Sequence, residues 1–352
     1  MKNYVAAMLS IALFLSSCGS FDDDGSIDPI ASSCLDLGEA NLKISIQDKF
    51  TTLPGKVSVF FKVNTIDDKA VSGLRASNFT IYERGRNDQC FNQISSSESF
   101  GRISPNTQIF KNNTFLVLDL SNSVLQSNLD ALKTASISFI NSVMPEEATD
   151  SFQMGIYWFN GEDELHLLND LTSSKTELEN AINGIDATIS NDPSTDLYGA
   201  IIKATTLANT AIAEQEKLDI FAASSVVVFT DGTDQAARYS KNEALNSVNS
   251  ANANASFFTI GLGDEIDVEI LGELGKTASV IADNSQELEA RFNEISIEVA
   301  NQANSFYLFE YCSPKRDGSG RSELIIQVRS GEDRGAISTN FDATGFTAGC
   351  DQ

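Results

Sequence analysis

Between residues 110 and 303, near-continuous apolar runs alternate with helical apolar faces, and this alternation constrains the fold more than any other feature of the chain. Thr114 to Leu118 is such a run, as a strand buried on both faces requires, and Leu125, Leu129, Leu132 and Phe139 follow at helical spacing. Phe152 to Phe159 is the next strand, Leu197, Ile201, Ala204, Ala208 and Ile212 line one helical face, and Ser225 to Phe229 is another buried strand. Ser256 to Ile260 and Ala278 to Ile281 add strands, and Leu288, Phe292, Ile295 and Val299 mark a closing helix. The order predicts an α/β fold: a doubly wound, mostly parallel sheet with helices on both faces.

The flanks read differently. Leu42, Ile44 and Ile46, then Val57, Val59, Phe61 and Val63, then Phe79 and Ile81 alternate with period two, as half-exposed strands do. The pattern returns in Ser305 to Tyr311, in Leu324, Ile326 and Val328, and around Ile337 to Phe341. Residues 34–109 and 304–352 are therefore expected to build one small β-sandwich into which residues 110–303 are inserted. Two unrelated β flanks are the alternative. Cys34, Cys90, Cys312 and Cys350 are an even set for two disulfides, and none lies between residues 91 and 311. Three pairings are open. Bridges between the flanks would favour the single sandwich; Cys34 with Cys90 and Cys312 with Cys350 would not.

Composition narrows the chemistry. Against 24 basic residues stand 49 acidic ones, a net charge of -25, so a nucleic-acid backbone would be repelled. A single histidine, His166, leaves no His-rich zinc site and one base for any triad. It falls in Glu164 to Leu168, which reads as a short edge strand. Gly261-Leu262-Gly263 lacks the third glycine of a phosphate-binding turn, and Trp158 reads as a core residue.

Residues 1–17 have the layout of a signal peptide, with Lys2 followed by an apolar run from Val5 to Leu15 that is too short to span a bilayer. Leu15-Ser16-Ser17-Cys18 resembles the lipobox of bacterial lipoproteins, which implies cleavage before Cys18 and its acylation. Residues 18–33, with Asp22-Asp23-Asp24, read as an acidic tether. The expected location is exported and membrane-anchored through lipid alone, at the outer membrane or cell surface.

Three segments carry the candidate chemistry. Asp119-Leu120-Ser121-Asn122-Ser123 follows the first buried strand, Thr195 opens the Leu197 helix, and Asp231 ends the Ser225 strand in Thr230-Asp231-Gly232. All three are expected at the carboxyl edge of the sheet, where α/β folds bind ligands. This set resembles the von Willebrand factor A domain, whose metal-ion-dependent adhesion site joins a DxSxS segment to a distant threonine and a distant aspartate. The resemblance implies that Ser121, Ser123 and Thr195 give hydroxyl oxygens to a cation, with Asp119 and Asp231 acting directly or through water.

Magnesium suits such a site, because Mg²⁺ takes six hard oxygens and keeps some waters; Mn²⁺ or Ca²⁺ are the alternatives. One coordination position would remain for a carboxylate from a protein or other macromolecular partner. The plain readings are that Ser121 or Ser123 caps the following helix and that Asp231-Gly232 is an ordinary turn. The expected function is cation-dependent adhesion or protein binding without turnover. A structural component of an envelope complex, its metal purely stabilising, and a metal-dependent hydrolase are the rivals.

Overall fold

The computed structural model describes residues 29–85, 87–94, 101–104, 110–316, 320–347 and 350. The leader, Cys18 and Asp22-Asp23-Asp24 lie outside the described residues. Helix α1 (Pro29–Cys34) occupies the end of the stretch read as tether. It is pinned rather than free, because Ala31 is buried with Phe91 and Ile325 and Cys34 is bonded to Cys90. The strands β1 (Leu42–Thr52), β2 (Lys56–Thr65), β3 (Phe79–Arg84), β4 (Asn92–Gln93) and β5 (Arg102–Ser104) follow.

The α/β segment runs β6 (Phe110–Asp119), α2 (Asn122–Ser127), α3 (Leu129–Val143), β7 (Phe152–Phe159), β8 (His166–Thr172), α4 (Lys175–Gly184) and α5 (Leu197–Glu216). It continues through β9 (Phe221–Thr230), α6 (Lys241–Asn249), β10 (Ala255–Leu262), α7 (Val268–Leu274), β11 (Ala278–Ala282) and α8 (Leu288–Ala303). Its six-stranded sheet has the order β11-β10-β9-β6-β7-β8, parallel except for the β7–β8 pair. Alternate residues of each strand feed opposite cores, as a pleat requires. Leu116, Leu118, Ile156 and Phe229 pack with α3, α4 and α8, whereas Phe115, Val117, Val226 and Val228 pack with α5, α6 and α7. The doubly wound sheet of the sequence reading is what forms.

Strands β12 (Phe306–Cys312), β13 (Arg321–Ser330) and β14 (Asp333–Asp342) close the chain. They interleave with the first five in two antiparallel sheets, β1-β2-β12-β5 and β14-β13-β3-β4. Phe61, Val63, Ile81, Phe309, Leu324 and Ile326 share the core between them. The disulfides are Cys34–Cys90 and Cys312–Cys350, each within one flank. That pairing lends no support to a joint sandwich, yet the ladders β2–β12 and β3–β13 join the flanks. Backbone hydrogen bonds join the two flanks, while each staple secures one flank locally.

On the other face of β2, Phe60 meets Phe110, Phe221 and Phe306 at ring-centroid distances of 5.7, 4.9 and 5.9 Å. These rings seat the foot of the parallel sheet on the sandwich, at the end away from the carboxyl edge.

Candidate metal centre

Because β6 and β9 are adjacent and parallel, with Leu118 opposite Phe229, Asp119 and Thr230 leave the sheet side by side. From β6 the chain winds to β7 and β8 on one side, and α5 then carries it across to β9 on the other. Such a reversal opens a crevice at the carboxyl ends of the strands. Thr195 lies just before that crossover helix, so topology brings all three segments to one place.

Asp119 is fully buried and central. Its Oδ1 accepts from the Ser121 backbone N–H at 2.9 Å, and its Oδ2 accepts from the Thr230 hydroxyl at 2.7 Å and the Thr195 hydroxyl at 3.5 Å. Ser121 Oγ lies 3.2 Å from Ser123 Oγ, and the Ser123 hydroxyl donates to Asp231 Oδ1 at 2.9 Å. The structure thus brings together all five residues named from the sequence. Ser121 does occupy the N-cap position of α2, but its side chain makes no capping hydrogen bond. Its hydroxyl turns instead toward the neighbouring serine.

Burial pushes the Asp119 carboxyl up to about 6, the Thr230 hydrogen bond opposing and the nearby Asp231 charge adding to the shift. Burial also raises Asp231, with the Ser123 hydroxyl opposing and Glu265 adding. Two carboxylates are therefore held where their ionised forms are disfavoured, among neutral hydroxyls, and no ion pair to either carboxylate is seen among the described residues. Every side-chain donor gathered here is oxygen, the kind of donor a hard dication takes, and such an ion would supply the positive charge the carboxylates lack. Among the described residues no group of three or more His, Cys, Asp or Glu side chains is placed to hold a metal ion.

Residues not singled out from the sequence position the set. Thr230 orients Asp119; its only signal was a hydroxyl preceding Asp231 at a buried strand end. The Thr195 carbonyl accepts from the backbone N–H groups of Gln235 and Ala236 at 2.8 and 3.1 Å, tying the threonine segment to the loop after Asp231. Asp192 holds Ser194 through its carboxylate at 2.6 and 2.8 Å, and its carbonyl accepts from Asn122 at 3.0 Å. Asn160 bridges to Ser190 Oγ at 3.0 Å and accepts from Asp196 N–H at 2.8 Å.

The remaining sequence candidates lie elsewhere. His166 begins the edge strand β8 and stacks on Trp158, ring centroids 4.0 Å apart. Gly261 packs so tightly that a Cβ there would sit 2.7 Å from Ile266, and Gly263 turns the chain out of the sheet at φ 81°.

The fold is a doubly wound α/β sheet with an oxygen-lined crevice at its carboxyl edge. Residues 113–294 match the family model of the von Willebrand factor type A domain, and the chain belongs to that family. No curated protein sequence matches it. Similar solved structures include a von Willebrand factor type A protein from Catenulispora acidiphila, 11% identical over 85% of this chain and 76% of that one, TM-score 0.45. The conserved hypothetical protein BatB from Bacteroides thetaiotaomicron is 19% identical over 55% of this chain and 99% of its own, TM-score 0.42. The von Willebrand factor domain of the type V pili tip protein Mfa5 from Porphyromonas gingivalis is 12% identical over 54% and 95%, TM-score 0.41.

Proposed function

We propose that this chain binds a macromolecular partner through a divalent cation, Mg²⁺ in the first instance, held by Ser121, Ser123 and Thr195 with Asp119 and Asp231. When bound, the cation supplies an open coordination position that a Glu or Asp carboxylate of the partner fills. The protein's own residues do the rest: Thr230 and Ser121 N–H hold Asp119 in place, and the Gln235 and Ala236 amides fix the Thr195 segment. The observation that carries the reading is the convergence of five oxygen-bearing side chains from three segments, with the Ser121 hydroxyl released from helix capping.

In this reading residues 110–303 are the binding unit and residues 34–109 with 304–352 its support. Residues 1–17 are removed, residues 18–33 lead from the membrane, and acylated Cys18 anchors the protein on the outer membrane or cell surface. Among the described residues no helix is long and apolar enough to cross a membrane. The test is calorimetric titration of Mg²⁺ into the chelated protein, beside pull-downs from envelope or host extracts with and without chelator. One bound cation and capture that chelator abolishes are expected, both lost in Thr195→Ala. Capture equal in all lanes would replace this reading with a cation-independent scaffold.

A further inference from the structure

Among the described residues no disulfide crosses the joint between the sandwich and the α/β segment, since each lies within one flank. One pair of side chains at that joint is placed to make a covalent tie of another kind. Lys62 on β2 donates from Nζ to Gln302 Oε1 at 2.9 Å, across 240 residues of sequence. Gln302 lies in the last turn of α8 and is 7% exposed. A C=O bond is about 1.2 Å long, so the amine nitrogen lies within roughly 4 Å of the Gln302 amide carbon. Attack needs roughly 3–3.5 Å, so a shift of under about 1 Å brings the two atoms into contact.

The surroundings hold the pair and favour the neutral amine. Ser72 Oγ donates to Asn301 Oδ1 at 2.9 Å and the Val63 N–H to the Ser305 carbonyl at 3.0 Å, which fixes the sandwich against the end of α8 on both sides of the pair. The Phe306 ring centroid lies 5.1 Å from Nζ. Among the described residues Lys62 is in no ion pair. Burial lowers its ammonium to about 8, the Asp68 charge opposing. A lysine desolvated in this way is a nucleophile near neutral pH. A cavity of about 580 Å³ opens on the pair, and Glu298 lines it together with Lys62 and Gln302. Glu298 stands four residues before Gln302 on α8, so carboxylate and amide share one helix face.

We propose that Lys62 and Gln302 join in an isopeptide bond that welds the sandwich to the closing helix of the α/β segment. The Lys62 ammonium first gives one proton to the Glu298 carboxylate. The Nζ electron pair then forms a bond to Gln302 Cδ, a second Nζ proton passes to Nε2, and the Cδ–Nε2 bond breaks. Ammonia leaves through the cavity and takes the proton held by Glu298, so ammonium is the by-product and no other reactant is consumed. The bond is independent of the cation-dependent reading above, because neither residue belongs to the candidate metal centre.

The test is mass spectrometry of the full chain, reduced, alkylated and digested with trypsin. Residues 57–69 and 292–315 should run as one branched species, uncleaved at Lys62 and lighter than the two peptides together by one ammonia. Lys62→Arg, which keeps the charge and a donor, should return separate peptides. In freshly purified Glu298→Gln the joined fraction should be small, because loss of a general acid–base slows such a step by about 100-fold or more. Separate peptides of unaltered mass from the native chain would overturn the bond outright. A species still joined at Gln302 in Lys62→Arg would overturn the assignment to Lys62, and full joining in Glu298→Gln would overturn the role given to Glu298.

Discussion

At the scale of single residues, Asp119 shows how a buried charge is made useful. It ends the central strand with both oxygens engaged by Ser121 N–H and the Thr230 and Thr195 hydroxyls, so its orientation is set by the protein itself. Groups that orient a metal-binding carboxylate are worth about 10–100-fold in affinity. Thr230→Val, which keeps the shape and removes the 2.7 Å hydrogen bond, is therefore expected to weaken Mg²⁺ binding by about tenfold or more in a calorimetric titration. Melting of the chelated protein should change far less. Asp119, Ser121, Ser123, Thr195 and Asp231 were legible in the sequence because each carries a donor at a strand end or helix start. Thr230 was not, since a threonine is an ordinary strand residue until its neighbour across the ladder is known.

At the scale of elements, β3 shows a pattern that sequence periodicity reads only in part. Phe79, Ile81 and Glu83 alternate toward the sandwich core, and the third of them is a carboxyl with no exposed surface. Burial pushes Glu83 up to about 7, partly offset by the hydrogen bond its Oε2 accepts from the Ser313 hydroxyl at 3.0 Å. A raised carboxyl pKa means that the folded state holds the proton more tightly than the unfolded chain. Its contribution is thus full below the ordinary carboxylate range and is lost as pH rises through about 7. The size is about 3–4 kcal/mol, from roughly 1.4 kcal/mol per unit. Denaturant titrations at pH 5 and pH 8 should show this loss in the native chain, and Glu83→Gln should remove that part of the pH dependence. An unchanged difference between the two pH values would assign it to other groups.

At the scale of the whole molecule, the parallel sheet and the sandwich meet through rings that alternate out of the sandwich core. Phe61 points into that core and Phe60 away from it, into the cluster of Phe110, Phe221 and Phe306. Phe60→Ala is expected to cost about 3–5 kcal/mol, the usual range for a buried phenylalanine, read as a lower denaturant midpoint. If the joint transmits between the units, the Mg²⁺ affinity of this variant will shift as well; if each unit works alone, it will not. Periodicity announced the flank strands but not which would pair. All seven residues of β12 are buried, so no exposed face singles out a partner, and its place between β2 and β5 is set by the closing of the two sheets. The disulfides gave no guidance, since each lies within its own flank although the ladders cross between flanks.

The sequence by itself determined the strand and helix periods, the sign of the surface charge and the five oxygen-bearing candidate residues, because each is written in local pattern or residue type. Tertiary structure alone decided that two sequence-distant flanks share their sheets and that Thr230 locks Asp119. Those features are distances between segments tens to hundreds of residues apart, and such distances exist only once the chain has closed.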